Sequence, residues 1–306
     1  MFLLVLLAIF GFVAQLVDGS LGMGYGVTST SMLVAVGIAP AAASAAVNFA
    51  QLGTTLASGV SHAKMGNVDW RTVSILALPG AVGAFVGAFF LVSLSVAVAT
   101  PMVATILLVL GTYVFLRFLL LAGRRPTFKG SPSAWFLVPM GFVGGTVNSI
   151  GGGGWGPIGT TTLLSSGRLE PRKVVGSIST TEFGVTVGGS LGFLLALQLD
   201  AVPWSFTIAL LAGGVLAAPF AAYLVRHLAP RVLGVAAGGM IIVTNVRTLL
   251  DNGGLSAGVI GLVLVPLVVG WIAAVVWAVR AGRADRLARE GARAADEAAA
   301  RVAQVT

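Results

Sequence analysis

The sequence of 306 residues contains no cysteine and only two histidines, and only 9% of its residues are charged. The absence of cysteine excludes disulfides, thiolate chemistry and cysteine metal ligands. Two histidines offer little for a zinc or haem centre. A soluble domain normally has about 25% charged residues, so this chain lacks the polar surface that a soluble protein of its length needs. We therefore predict no metal, no cofactor and no catalytic residue, and no enzyme.

Apolar residues are abundant: they make up 57% of the chain, and the mean hydropathy is +0.99. Uncharged runs near 20 residues in length are typical of helices that cross a bilayer. The composition thus predicts an all-α polytopic protein of the cell membrane, with the lipid bilayer as a partner. The predicted apolar segments are 1–17, 27–37, 43–62, 72–92, 97–120, 133–150, 158–166, 174–197, 204–225, 231–249 and 255–280.

The net charge of +8 comes from short loops and from the C-terminal tail, without a basic stripe between aromatic residues. This distribution argues against a nucleic-acid partner and is typical of the positive-inside rule. Two Gly-rich breaks, near residues 18–26 and 148–157, interrupt the apolar segments. If each broken pair enters and leaves on one side, 17 of the 18 basic residues fall on one face. We expect that face, and the C-terminus, to be cytoplasmic.

The two halves of the sequence repeat each other. A shift of 130 residues aligns 11–37 with 141–167, and ten of the 27 positions are identical. With one inserted residue the match continues from Pro40 onto Pro171. The loop at 38–42 is uncharged whereas the loop at 167–173 is basic, which predicts two repeats of opposite orientation in the membrane.

The repeat divides the chain into five predicted parts. They are a first repeat at 1–122, a cytoplasmic connector at 123–132, a second repeat at 133–250, an extra span at 255–280 and a charged cytoplasmic tail at 281–306. Each repeat consists of a Gly-rich broken hairpin and three spans. Whether the broken hairpins are re-entrant or cross the membrane fully stays open.

The Gly-rich breaks predict a substrate site near the middle of the membrane. Backbone that leaves a helix within a bilayer is tolerated only when it is buried in protein or lines a cavity. A short segment follows each break, so each break presents a helix N-terminus that favours anions. Gly-x-Gly spacing also serves helix packing, the role we assign to Gly83 and Gly214. The predicted substrate-binding residues are Gly22, Gly24, Tyr25, Gly26, Thr28, Ser29, Asn48, Gln51, Asn148, Gly152, Gly153, Gly154, Trp155, Thr160, Ser179 and Thr180.

Glu182 is the only acidic residue within the predicted spans, and Asp18 directly follows the first of them, where the first break begins. A carboxyl group inside a membrane is costly and marks function by default. Asp18 is either a proton-coupling group or an acceptor that caps backbone N–H groups, and both interpretations remain open. Glu182 is the second proton-coupling candidate.

These motifs resemble the TauE/SafE sulfite exporter family, also called the four-toluene-sulfonate uptake permeases. The resemblance extends over both halves to about residue 250. It implies a permease for small sulfur-containing or organic anions, such as sulfite, sulfonates or sulfoacetate. The motifs that carry it are the two Gly-rich breaks, Gly37, Pro40, Ala41 to Asn48, Gly66 to Trp70, Gly167, Pro171 and Gly176 to Thr181.

Several functions therefore remain possible at this point. The leading one is a membrane permease that moves a small anion, with proton coupling as one form. The alternatives are an uncoupled anion facilitator or channel, and a cation transporter that uses the buried carboxyl groups. The residues do not choose the anion, the direction of transport or the oligomeric state.

The distribution of basic residues predicts a labelling pattern. Because the chain has no cysteine, single introduced cysteines report topology directly. Cysteines at positions 95 and 253 should react with an impermeant maleimide from outside intact cells. Cysteines at 127 and 169 should react only after permeabilisation, and labelling of these two from opposite sides would contradict the paired arrangement.

Overall fold

The computed structural model describes residues 2–120, 132–166, 168–224 and 230–303, which are almost entirely helical. The first half forms α1 (Phe2–Leu21), α2 (Tyr25–Ala35), α3 (Pro40–Lys64), α4 (Trp70–Ser93) and α5 (Val96–Leu120). The second half forms α6 (Ala134–Gly151), α7 (Trp155–Ser166), α8 (Pro171–Ala196), α9 (Trp204–Leu224), α10 (Pro230–Asn252) and α11 (Ala257–Ala303). The predicted connector up to residue 131 and Gly167 lie outside the described residues.

The all-helical prediction is confirmed, and each predicted apolar segment corresponds to one of the helices α1 to α11. Four of the described helical stretches are long and apolar enough to cross a membrane: Trp70–Ser93, Val96–Leu120, Arg231–Asn252 and Ala257–Gly282. Shorter apolar stretches lie in α1 and α9. The extra span and the tail, predicted as separate parts, form the single helix α11 of 47 residues.

The first broken pair, α1 and α2, starts and ends at the same end of the bundle. Both α1 and α3 pack against α9, and the residue numbers of the contacting pairs rise together along the two helices. For α1 and α9 the pairs are Gly11–Leu210 and Gly19–Ala221. For α3 and α9 they are Phe49–Trp204 and Thr54–Gly214. Because α1 and α3 both run parallel to α9, α2 must return the chain to the end from which α1 began.

The second broken pair, α6 and α7, behaves in the same way. Here α4 is the common neighbour of α6 and α8. The parallel register is given by the pairs Leu76–Gly141 and Gly87–Thr146, and Ala77–Gly184 and Ala88–Gly192. Since α6 and α8 run in the same direction, α7 returns the chain to its starting end.

The two halves are interleaved rather than side by side. The first helix of each half packs against a helix of the other half, α1 on α9 and α6 on α4. At the centre, α3 and α8 pack antiparallel, with Gly59 against Thr180 and Asn48 against Gly189. The polar side chains of α3 and α8 are thus buried at the contact between the two halves.

Glycines make these close contacts possible, as the sequence predicts for Gly83 and Gly214. A Cβ on Gly83 would collide with the carbonyl oxygen of Phe142 on α6, and one on Gly214 would lie 2.6 Å from the Thr54 methyl group. These positions serve helix packing, because only a missing side chain lets the helices approach so closely.

Gly83→Ala should therefore destabilise the bundle. The added methyl group meets backbone, which cannot move aside as a flexible side chain can, and overpacking of this kind costs about 1–3 kcal/mol. Gly261→Ala is the matched control, because no atom lies within 4 Å of a Cβ at this position on α11. Thermal unfolding of the detergent-purified proteins should show a lower Tm for Gly83→Ala alone. Equal Tm values would contradict the assigned contact.

Candidate functional site

The two Gly-rich breaks meet in the interior of the protein. A Cβ on Gly26 would lie 2.5 Å from the Cα of Gly153, and one on Gly156 would lie 2.7 Å from the Cα of Met23. The hydroxyl of Thr160 on α7 donates a hydrogen bond to the carbonyl oxygen of Gly22, at 2.9 Å. The breaks thus contact each other backbone to backbone.

Equivalent glycines end the helices that precede the breaks. Gly22 follows α1 with φ of 67° and Gly152 follows α6 with φ of 68°. This left-handed conformation is one that residues with a Cβ rarely adopt. Equivalent threonines also contact these two glycines. Thr160 lies against Gly22, and the Thr30 hydroxyl lies where a Cβ of Gly152 would be.

Asp18 and Asn148 cap the short helices in the same way. The Oδ1 atom of Asp18 accepts a hydrogen bond from the backbone N–H of Tyr25, at 3.2 Å, where α2 begins. The Oδ1 atom of Asn148 accepts from the backbone N–H of Trp155, at 3.1 Å, where α7 begins. Both side chains are buried. Each satisfies one N–H group that the start of a helix leaves free.

The aromatic residues of the breaks anchor the short helices to neighbouring spans. The Tyr25 hydroxyl donates to the carbonyl oxygen of Leu210 on α9, at 3.0 Å. The indole Nε1 of Trp155 donates to the carbonyl oxygen of Ile178 on α8, at 3.1 Å. Both rings are fully buried. Their polar atoms are therefore occupied within the protein, and their role as substrate ligands remains a prediction.

The predicted hydroxyl ligands fall into two groups. The hydroxyls of Thr28, Thr160 and Thr180 donate to backbone carbonyl oxygens, so their protons are already used. Ser29 is buried, and its hydroxyl has no partner among the described residues. Ser179 is also buried. Ser29 is thus a hydroxyl of this set that the structure leaves available to a ligand.

Further buried polar atoms near the breaks lack a protein partner. They are the hydroxyl oxygens of Thr30 and Ser149, the Nδ2 atom of Asn148 and the Oδ1 atom of Asn48 within the described part of the chain. Asn48 Oδ1 and Ser149 Oγ both lie 2.6 Å from the place that a Cβ of Gly189 would occupy. Buried polar atoms normally find a partner, so these atoms are candidates to contact a ligand or water.

Glu182 and Gln51 connect the two central helices. The Nε2 atom of Gln51 on α3 donates to Oε1 of Glu182 on α8, at 3.1 Å. The exposed fraction is 1% for Gln51 and 4% for Glu182. The structure therefore brings together two predicted site residues that are 131 positions apart. That separation is the repeat offset that places Pro171 on Pro40, so the two residues occupy equivalent positions.

Sequence reasoning did not select Thr30 and Ser149 as site residues. Thr30 is one of the ten identities of the repeat, aligned with Thr160, and that signal could have identified it. Ser149 aligns with Gly19, so the repeat gives it no prominence. Its place beside Asn48 depends on the packing of α6 against α3, which no local pattern reveals.

A family model described as sulfite exporter TauE/SafE matches residues 7–248. The chain belongs to the TauE/SafE family. The matched region includes both breaks and every candidate site residue described above. The family resemblance inferred from the motifs is thus confirmed.

A curated relative supports the same assignment. The chain is 46% identical over 275 residues to a protein of Bacillus subtilis (strain 168) named "Probable membrane transporter protein YtnM". The alignment covers 90% of this chain and 92% of the relative. No solved structure shows a significant match. The protein is accordingly a membrane transporter of the TauE/SafE family.

The shared capping geometry predicts a stability pattern. Removing the acceptor by Asp18→Ala or Asn148→Ala should destabilise the protein by about 1 kcal/mol, as for other helix caps. Asp18→Asn retains an Oδ1 acceptor and should lower the Tm less than Asp18→Ala does. Thermal unfolding of the three variants beside the unsubstituted protein makes the comparison. If Asp18→Asn is as damaging as Asp18→Ala, capping is not the main structural role of Asp18.

Proposed function

We propose that the protein is a permease of the cell membrane that moves small sulfur-containing or organic anions, of the sulfite or organosulfonate type. The observation that carries this proposal is the set of buried hydrogen-bond donors without a partner around the two breaks. The best placed are Ser29 Oγ, Thr30 Oγ1 and Asn148 Nδ2. A sulfur oxyanion presents several acceptor oxygens and suits such donors.

The electrostatics of the breaks support an anion rather than a cation. The starts of α2 and α7 carry the positive ends of helix dipoles, and no Lys, Arg or His occurs in α1, α2, α6 or α7. A neutral cradle binds an anion without trapping it in a salt bridge. A cation transporter would instead present several carboxylates or helix C-termini at this position.

The arrangement of helices suits alternating access. We infer that the two halves are repeats of opposite orientation, with the basic loops and the C-terminus in the cytoplasm. The supporting observations are the return of both broken pairs to their starting ends and the exchange of α1 and α6 between the halves. Repeats of this kind expose a central site to one side at a time when one half moves relative to the other.

Proton coupling is the form of transport that we favour over a facilitator. Asp18 and Glu182 are both buried, and neither forms an ion pair among the described residues. A proton that neutralises a carboxyl group near the path reduces its repulsion of an anion. Proton and anion would then bind together, which is the thermodynamic basis of symport or proton-linked efflux.

Uptake into proteoliposomes tests the proposal. The panel consists of sulfite, sulfate, thiosulfate, sulfoacetate and small carboxylates, each with and without a pH gradient. We expect at least one sulfur-containing anion to be taken up faster than by protein-free vesicles. Uptake of none of the panel by folded protein would reject an anion permease of this class.

Ser29→Ala provides the matched test of the site. The Ser29 hydroxyl has no partner among the described residues, so its removal should not lower the Tm. A hydrogen bond to a charged group contributes about 1.5–3 kcal/mol, and its loss should raise KM roughly tenfold to hundredfold. The control is Ser74→Ala, an exposed hydroxyl that donates to the Arg71 carbonyl oxygen. Equal KM values for the two variants would remove Ser29 from the site.

A further inference from the structure

Two buried carboxyl groups are candidates for the coupling proton, and their surroundings differ. The Asp18 carboxyl group caps α2 in the way that the uncharged amide of Asn148 caps α7. Capping at this position therefore requires a hydrogen-bond acceptor but not an ionisable group. The positive end of the α2 dipole also stabilises a negative charge on Asp18.

Glu182 lies in a different setting, where equivalent residues of the two halves hydrogen bond to each other. Its partner Gln51 occupies the corresponding position on α3. In two structures related by a twofold axis, a residue can contact its own equivalent only near that axis. The Gln51–Glu182 pair therefore lies at the contact between the halves, where their relative motion would change the distance between α3 and α8.

The partners of Gln51 indicate which form Glu182 takes. Gln51 Nε2 donates to Glu182, but Gln51 Oε1 is buried and has no partner among the described residues. An ionised carboxylate has no proton to offer this oxygen. A protonated Glu182 can donate its O–H to Gln51 Oε1 while accepting from Nε2. This would satisfy both polar atoms of the amide.

The charges around Glu182 also favour the neutral form. On α3, His62 and Lys64 lie in the last turn of the helix, and neither forms an ion pair with Glu182. On α4, Asp69 and Arg71 are at the first turn, and Arg71 is exposed. Neither α6 nor α7 has a titratable side chain.

On α8 itself, Arg172 and Lys173 lie in the first turn, and Lys173 is nine residues, or roughly 13 Å, from Glu182. Arg172 pairs with Glu170. The charge that does reach Glu182 is Asp18 on α1, whose carboxylate repels it. A buried ionised group without a counter-charge is costly, and the unpartnered Oε1 of Gln51 beside Glu182 needs a donor, so we place the proton on Glu182.

We propose that Glu182, held by Gln51, is the proton-binding residue of the transporter, and that Asp18 is a helix cap that does not bind the coupling proton. The inference rests on the proposed proton-coupled function and selects one of its two candidate residues. Protonation converts the carboxylate to a carboxylic acid, whose new O–H donates to Gln51 Oε1. Loss of that proton breaks this bond and leaves only the bond from Gln51 Nε2, so the contact between α3 and α8 changes with each proton bound.

The first test compares Glu182→Gln with Asp18→Asn in proteoliposomes, using thiosulfate as the probe. The measured quantity is the ratio of uptake with a pH gradient to uptake without one. Glu182→Gln should reduce this ratio to about one, whereas Asp18→Asn should retain it. The opposite result, or a retained ratio in both variants, would overturn the proposal.

A reciprocal exchange separates proton binding from a merely structural role. Gln51→Glu combined with Glu182→Gln moves the carboxyl group to the equivalent position on α3 and preserves one acid facing one amide. The double variant should regain the response to the pH gradient that Glu182→Gln loses. If the double variant folds and does not regain it, the pair is not the proton-binding site.

Infrared spectroscopy gives a readout that requires no transported substrate. In reconstituted protein, the C=O stretching band of a buried carboxylic acid should be present in the unsubstituted protein and in Asp18→Asn, and absent from Glu182→Gln. This measurement stands even if no anion of the panel is transported, so failure of the proposed function and failure of this inference are distinguishable. A band that disappears in Asp18→Asn instead would place the proton on Asp18.

Discussion

Inside a bilayer, backbone groups that leave a helix must find partners in the protein, and this constraint accounts for the centre of the structure. Each break ends a helix with a glycine in the left-handed conformation and starts the next with a side-chain cap. The remaining surface of one break is covered by the other, through contacts such as Thr160 with the Gly22 carbonyl oxygen. Two breaks in one protein are thus mutually dependent, because each supplies the polar environment that the other needs.

The same constraint explains why the polar helices are central. The helices α3 and α8 bury Ser44, Asn48 and Gln51 in one case, and Ser179 and Glu182 in the other. Contact with lipid would leave those groups without partners. Their antiparallel contact at the middle of the bundle places an acid against an amide and surrounds the breaks with side chains that can exchange hydrogen bonds.

Much of this arrangement was predictable from the sequence. Low charge and long apolar runs predict the helices, and the 130-residue repeat aligns the two breaks and their capping positions, Asp18 with Asn148. The contacts between the halves were not predictable in the same way. That Gln51 hydrogen bonds to Glu182 follows from how α3 crosses α8, and the use of Thr28 and Thr180 hydroxyls by their own helices depends on side-chain rotamers.

The central claim is that an anion binds where the two breaks meet. The most direct measurement is an electron cryomicroscopy map of the protein in lipid nanodiscs, recorded with and without thiosulfate. The account predicts additional density, present only with thiosulfate, within hydrogen-bonding distance of Ser29, Thr30 or Asn148. Density bound elsewhere in the transmembrane region, with the space around these residues unchanged, would contradict it.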